Sequence, residues 1–269
     1  MSDTFNLDDP SFVDAYDELP LWSAMAGLLL LRHVRLRPGC IALDLGCGTG
    51  FPAIELAERL GPTARVHGVD PWVAALARAR RRAATRGAAN VTFHAGVGDA
   101  LPFADDCFDL IVSNLGVNNF ADPAAALAEC RRVLRRDGRL VLSTNLQGNM
   151  AEFYTAYRAV LPAEDHAALD AHIGHRATVE GLRAMLAAAG FKVTRVEREA
   201  AMMRFADGAA LLRHSFIRLG FLPGWQAIVP DARRDRVFAA LRAQLDTMAA
   251  EQGGLTLTVP LAFVEAAIA

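Results

Sequence analysis

Residues 41–57, IALDLGCGTGFPAIELA, decide the fold. Ile41–Leu45 is a short apolar run broken only by Asp44, the length and make-up of a buried strand. Gly46, Gly48 and Gly50 then recur at every second position, and an apolar helical stretch starts near Phe51. A loop without Cβ atoms can turn sharply and let a ligand touch the backbone. The helix behind it offers free N–H groups and a positive dipole end. Asp44 falls at the strand's carboxyl end, where open α/β sheets bind their ligands. The same residues also suit a purely structural βα turn, so the surroundings must decide.

Working outward, strands are predicted at 65–69 (ending on Asp70), 91–95, 108–113 and 139–144. Helices are predicted to about Leu60, from Pro71 to Arg86 and from Pro123 to Leu134, with Gly61-Pro62 and Gly87 as stops. Short apolar strands alternating with helices imply a parallel, doubly wound sheet. Upstream, 1–20 reads as irregular and polar, carrying Phe5, Phe12 and Tyr16, and 21–36 as an apolar helix. Downstream, 150–170 reads as helical with Pro162 dividing it, 178–189 as a helix and 191–196 as a strand. Residues 200–252 read as mostly helical and 255–259 as a strand. The expected organisation is an N-terminal cap segment 1–37, a core 38–199, a helical insertion 200–252 that is a candidate lid, and a final strand segment 253–269.

Composition narrows the class. The chain has 269 residues, 53% of them apolar, which suits one large domain or a domain with an insertion. A net charge of −2 gives no field that favours nucleic acid or an anionic membrane. Cys40, Cys47, Cys107 and Cys130 form no CxxC pair, which fits a reducing compartment. The opening MSDTFNLDDP lacks the basic and apolar regions of a signal peptide, and 24–31, the longest apolar stretch, is too short to span a bilayer. The expectation is a soluble cytoplasmic protein with a small-molecule partner, no nucleic acid and no membrane; a homodimer is left open.

Two cofactors suit a strand, a glycine loop, a helix and a second acidic strand end. Asp70, about 20 residues beyond Gly50, can accept from ribose hydroxyls in either case. A nicotinamide dinucleotide would want GxGxxG, and here the third glycine arrives one residue early. Gly46-Cys47-Gly48-Thr49-Gly50 instead resembles motif I of the class I S-adenosylmethionine-dependent methyltransferases. Val69-Asp70-Pro71 resembles that family's acidic end of strand two, and Gly98-Asp99-Ala100-Leu101-Pro102-Phe103 its segment after strand three. Residues 108–114 and 132–140 resemble strand four and the turn into strand five. The matches cover about 38–146 in the family's order. They look similar to ubiquinone/menaquinone-type small-molecule methyltransferases.

The resemblance implies a Rossmann-like seven-stranded sheet with a helical insertion before the last strand. It implies S-adenosyl-L-methionine as cofactor, held by Asp44, Gly46, Cys47, Gly48, Gly50, Asp70, Pro71, Trp72, Asp99, Ala100 and Asn114. Asp70 would take the ribose hydroxyls and Asp99 the adenine amine, with Ala100 N–H on a ring nitrogen. Pro71 or Trp72 would cover the adenine face. Asn114 would orient the acceptor or the methionine tail. Tyr16, Trp22 and Phe216 are the expected substrate contacts, and His214 and His175 the base candidates, because histidine titrates near neutral pH. The implied function is methyl transfer to a small apolar or aromatic acceptor; the alternatives are a nicotinamide-dependent oxidoreductase or a non-catalytic cofactor-binding protein.

Other groupings have blander readings. Cys47 is a small loop residue with no base beside it in sequence. Arg78, Arg80, Arg81, Arg82 and Arg86 read as a solvated helix face rather than an RNA surface. His166, His172 and His175 match no metal spacing, and no metal is expected. Arsenic methylation, a related chemistry, uses thiols that these cysteines do not reproduce.

Overall fold

The computed structural model describes residues 6–17 and 21–269. Residues 1–5, with Phe5, and 18–20 of the 1–20 stretch expected to be irregular lie outside these residues. In chain order the elements are α1 (Pro10–Asp17), α2 (Leu21–His33), β1 (Ile41–Leu45), α3 (Ala53–Leu60), β2 (Arg65–Asp70), α4 (Val73–Arg86) and β3 (Val91–Ala95). Next come β4 (Phe108–Asn114), α5 (Pro123–Val133), β5 (Leu134–Asn145), α6 (Ala151–Val160), α7 (His166–Gly174), α8 (Val179–Ala188) and β6 (Phe191–Phe205). The rest is α9 (Gly208–Arg213), α10 (Ser215–Gly220), α11 (Leu222–Ala227), α12 (Asp231–Gln252) and β7 (Leu255–Ile268).

The seven strands form one sheet in the order β3-β2-β1-β4-β5-β7-β6. β3 through β5 pair in parallel, with Asp44 of β1 opposite Gly68 of β2 and Val112 of β4. Strand order reverses between β1 and β4, so a crevice opens at their carboxyl ends. The helices fit the sheet because each carries one apolar stripe. α3 buries Ala53, Ile54, Leu56, Ala57 and Leu60, and α4 buries Ala75, Leu76, Ala79 and Ala83 before Gly87 ends it in a left-handed turn. Asp122 caps α5 by accepting from Ala125 N–H, with Pro123 following at the first helical position.

The structure corrects several boundaries. Residues 10–17 are helical, not irregular: Asp9 anchors the start by accepting from Ser11 N–H and Oγ. α3 begins at Ala53 and α4 at Val73, two residues later than expected in each case. The Asp137-Gly138 turn is absorbed into β5 as a bulge, the pairing jumping from Phe108–Leu134 to Leu110–Arg139. β6 runs on to Phe205 as an edge strand, half-buried on one side only, so its charged residues hide its length. β7 passes through Pro260, because proline costs the strand only a donor while its carbonyl still accepts, here from Leu146 N–H at 2.8 Å.

The chain forms two compact units. The first comprises Met1–Thr144, Ala177–Glu199 and Leu261–Ala269 and holds the body of the sheet. The second comprises Asn145–Arg176 and Ala200–Pro260. Its core is aromatic: Trp225 is 0% exposed, its ring 3.9 Å from that of Phe153, and its carbonyl accepts from Tyr157 Oη at 2.8 Å. Among the described residues no helix is long and apolar enough to cross a membrane.

Candidate active site

The glycine loop sits at the carboxyl end of β1. Gly46, Gly48 and Gly50 have φ of 77°, 50° and 99°, a region that disfavours residues with a Cβ. Gly46 N–H and Cys47 N–H both donate to Val69 O, at 2.9 and 3.2 Å, which draws the loop onto the end of β2. A Cβ on Gly50 would lie 2.8 Å from Ile54 Cδ1, so packing demands that glycine. A Cβ on Gly48 would meet nothing within 4 Å: the loop opens onto free space there.

Two carboxylates flank this opening. Asp70 accepts from Gly48 N–H through Oδ2 and from Trp72 N–H through Oδ1, both at 2.8 Å. Burial pushes its acid up, and those two N–H groups offset part of the push. A carboxylate has about four acceptor positions, so Asp70 keeps about two for a ligand. Asp44 is 0% exposed and accepts from Ala53 N–H through Oδ2 at 3.0 Å. Its Oδ1 is buried without a partner among the described residues. Burial pushes the Asp44 acid up to about 8; the Ala53 N–H opposes this, and Asp70 adds to it. Cys47 is buried between the same two acids, and burial first, then Asp44 and Asp70, hold its thiol far above the reactive range.

Trp72 stands next to Asp70 and gathers the N-terminal aromatics. Its ring lies 5.3 Å from Tyr16, edge on, and 6.1 Å from Phe12, and its Nε1 donates to Leu7 O at 2.6 Å. Burial and the Asp70 charge raise the Tyr16 phenol, although the residue is 43% exposed. Pro71 is exposed in the bend between them. Asp99 and Ala100 are exposed in the turn after β3. The Asp99 carboxylate makes no hydrogen bond among the described residues, and Ala100 N–H donates only at 3.4 Å, to Val97 O. Asn114 ends β4, but its amide is already engaged: Oδ1 accepts from Ser143 Oγ at 2.8 Å and Nδ2 donates to Ser23 O at 3.0 Å. It works as a clamp between β4, β5 and α2, with one N–H and one lone pair to spare.

Trp22 is half-buried on α2. The other expected residues belong to the second unit. His175 is exposed in the turn after α7, its ring 5.6 Å from His172. His214 sits edge on to Phe205 at 5.5 Å, with Nδ1 buried and unpaired among the described residues. Phe216 is buried against Phe221 at 5.4 Å. His166 turns away to Leu161 O. Among the described residues no group of three or more His, Cys, Asp or Glu could hold a metal ion.

The arginine run on α4 is not simply a solvated face. Arg78 and Arg82 grip the two oxygens of Asp17 at 2.8 and 2.7 Å, and Arg81 pairs with Asp14 at 3.1 Å. Arg82 also donates to Thr49 O, inside the glycine loop, at 2.9 Å. Arg86 pairs with Glu55 and Glu58 of α3. Asp14 and Asp17 escaped the sequence reading; an acidic pair one turn apart, matching a basic run on another helix, was the available signal.

An open α/β sheet with a glycine loop, two flanking acids and a crevice at the β1/β4 reversal defines a nucleoside-binding class. Residues 36–200 match the family described as "Methyltransferase domain". The chain is 33% identical over 251 residues to nocamycin O-methyltransferase of Saccharothrix syringae, covering 87% of this chain and 88% of that protein. It is 32% identical over 164 residues to arsenite methyltransferase of Halobacterium salinarum, covering 60% of this chain and 39% of that protein. It is 39% identical over 164 residues to demethylmenaquinone methyltransferase of Thermus thermophilus, covering 56% and 74%. The chain thus spans well under two thirds of some curated relatives it matches and most of others. The solved structure of a SAM dependent methyltransferase from Aquifex aeolicus has the same fold, with a TM-score of 0.57, 20% identity, and coverage of 70% of this chain and 91% of that one. The fold is also that of the [4+2]-cyclase SpnF, with a TM-score of 0.55, 20% identity, and coverage of 90% and 79%. The chain belongs to the class I S-adenosylmethionine-dependent methyltransferases. The nicotinamide alternative is overturned by this family match, in agreement with the glycine spacing.

Proposed function

We propose that this chain methylates an oxygen of a small apolar or aromatic acceptor, in the cytoplasm, with S-adenosylmethionine as donor. The observation that carries the reading is the set of free positions at the loop: the orphaned Asp44 Oδ1, the open side of Gly48 and the spare acceptor capacity of Asp70. An uncharged nucleoside needs carboxylates and close backbone there rather than a phosphate cradle. In this reading Asp70 takes the ribose hydroxyls, Asp99 the adenine amine, Ala100 N–H a ring nitrogen, and Trp72 or Pro71 the adenine face. Asp44 and the backbone of Gly46, Cys47, Gly48 and Gly50 form the floor. Tyr16, beside Trp72, and Trp22 and Phe216 are kept as acceptor contacts. Oxygen is chosen because a relative matched over 87% of this chain and 88% of its own length is named an O-methyltransferase.

The bound cofactor supplies an already activated sulfonium methyl. The chain's residues have to hold the acceptor in line and keep water out, and such positioning supplies several kcal/mol. A base is needed only if the acceptor must lose a proton. His214 is the better candidate, because its Nδ1 is buried and uncommitted, whereas His175 Nδ1 is turned to His172 O. Asn114 is proposed to orient the acceptor or methionine tail with its one spare N–H.

The test is incubation with methyl-labelled cofactor and a metabolite pool, followed by identification of the product that gains label. A second reading, cofactor binding without methyl transfer, draws on the cyclase with this fold, since fold alone does not fix chemistry. S-adenosylhomocysteine binding with no labelled product across the pool would favour it.

A further inference from the structure

The second unit carries a polar cluster from which the proposed chemistry draws only His175, its weaker base candidate. Arg176 follows α7, half-buried, with Cζ 5.9 Å from the centre of the Phe221 ring. Arg158, Arg233, Arg234 and Arg242 of the same unit each have a carboxylate partner. Arg176 has none among the described residues. Burial pulls its pKa below the usual arginine range, with Tyr154 acting the other way. A half-buried guanidinium lacking an anion is costly, and structures normally pair it.

Its neighbours add donors and no negative charge. Tyr154 Oη accepts from Trp225 Nε1 at 3.1 Å and meets His172 Nε2 at 3.2 Å. His172 is held below the ordinary histidine range by burial, by His175 and by Arg176, which favours its neutral form. Gly224 lets that ring approach, since a Cβ there would lie 3.2 Å from His172 Cε1. On the other side, a Cβ on Gly174 would meet nothing within 4 Å, and His175 is exposed, so the cluster opens to solvent.

We infer that Arg176, with His172, His175 and Tyr154, is a binding subsite for the carboxylate of a small organic acid. Carboxylate suits it better than phosphate. One planar guanidinium matches a planar carboxylate in a two-pronged fit, and the cluster has only one permanent positive charge to set against a dianion. The inference is argued from the second unit alone and stands apart from the methyl-transfer reading, whose own test is the transfer of label from methyl-labelled cofactor to a product.

The experiment is calorimetric titration of the full chain at constant ionic strength near pH 7.5 with sodium benzoate, its neutral isostere benzamide, and inorganic phosphate. Benzoate should bind at a saturable site at least about tenfold more tightly than benzamide, and phosphate should not displace it. Arg176→Gln should lose about tenfold or more in benzoate affinity, Arg176→Lys less, with S-adenosylhomocysteine affinity and circular dichroism unchanged in both. Equal binding of benzoate and benzamide by the unaltered chain would overturn the inference without any variant. So would an Arg176→Gln protein that binds benzoate normally. Displacement of benzoate by phosphate at lower concentration would overturn the choice of carboxylate.

Discussion

Asp70 holds the loop together and keeps capacity for a ligand with the same carboxylate. Its replacement by Ala therefore removes a ligand acceptor and frees Gly48 N–H at once. Asp70→Ala should weaken S-adenosylhomocysteine binding by ~1.5–3 kcal/mol, the usual worth of a hydrogen bond to a charged group, with calorimetry as the readout. An unchanged affinity would remove Asp70 from the site. Asp44 makes a different prediction, about stability. Its acid titrates near 3.9 when unfolded and at about 8 in the fold. Between those values the unfolded chain gives up a proton that the folded chain keeps, so stability fully present below about pH 4 is lost as pH rises through about 8. In melts without cofactor, Asp44→Asn should gain on the parent as pH goes from about 5 to about 8. Parallel melting temperatures across that range would contradict the buried, raised acid. Both aspartates were legible in sequence because they follow short apolar runs. That Asp44 Oδ1 lacks a partner was not, since this depends on what the fold packs around it.

The pairing of α1 with α4 is an ion clasp. Asp17 has a side chain only 7% exposed and is held by Arg78 and Arg82, so its loss removes the carboxylate that joins both guanidiniums to α1. Asp17→Asn should release α1 locally, raising amide exchange in Pro10–Asp17 by an amount equal to ~1.5–3 kcal/mol of opening energy. Because Arg82 also reaches Thr49 O, the same variant should weaken cofactor binding a few-fold. Exchange unaltered in α1 would show the clasp to be surface decoration. Reading the sequence located most elements well where the signal was local: apolar runs, a Pro at a helix start, a Gly at its end. It fell short where pairing across the sheet decided the outcome. β7 runs beyond the expected 255–259, because the alternation with Thr256 and Thr258 that marks it stops there while buried Leu261, Ala262, Phe263 and Val264 continue the strand. β6 was cut at Val196 because its edge position shows polar residues on both counts, to water and to the half-covered face.

At the scale of the whole molecule, ligand binding should register as stability. At about 100 times its Kd, S-adenosylhomocysteine should add ~2.7 kcal/mol to unfolding of the unit that binds it, read as a rise in melting temperature. No rise would deny binding to the native state. Within the second unit, Trp225→Ala should cost ~3–5 kcal/mol, because a fully buried indole stacked on Phe153 leaves a large cavity. Chemical denaturation followed in parallel by indole fluorescence and circular dichroism would measure it.

The division of the chain bears on how the protein can be cut. The backbone passes between units at 144/145, 176/177, 199/200 and 260/261, which is four covalent crossings. A segment excised at 200–252 would therefore leave Asn145–Arg176 behind, stripped of Trp225, Phe221 and the face of α12 that carries Val237, Leu241 and Leu245. Shortening this protein to a minimal catalytic fragment calls for two linked deletions, each replaced by a short bridge, rather than a single excision. Libraries that shuffle its second unit with those of other methyltransferases need two junction pairs held in phase.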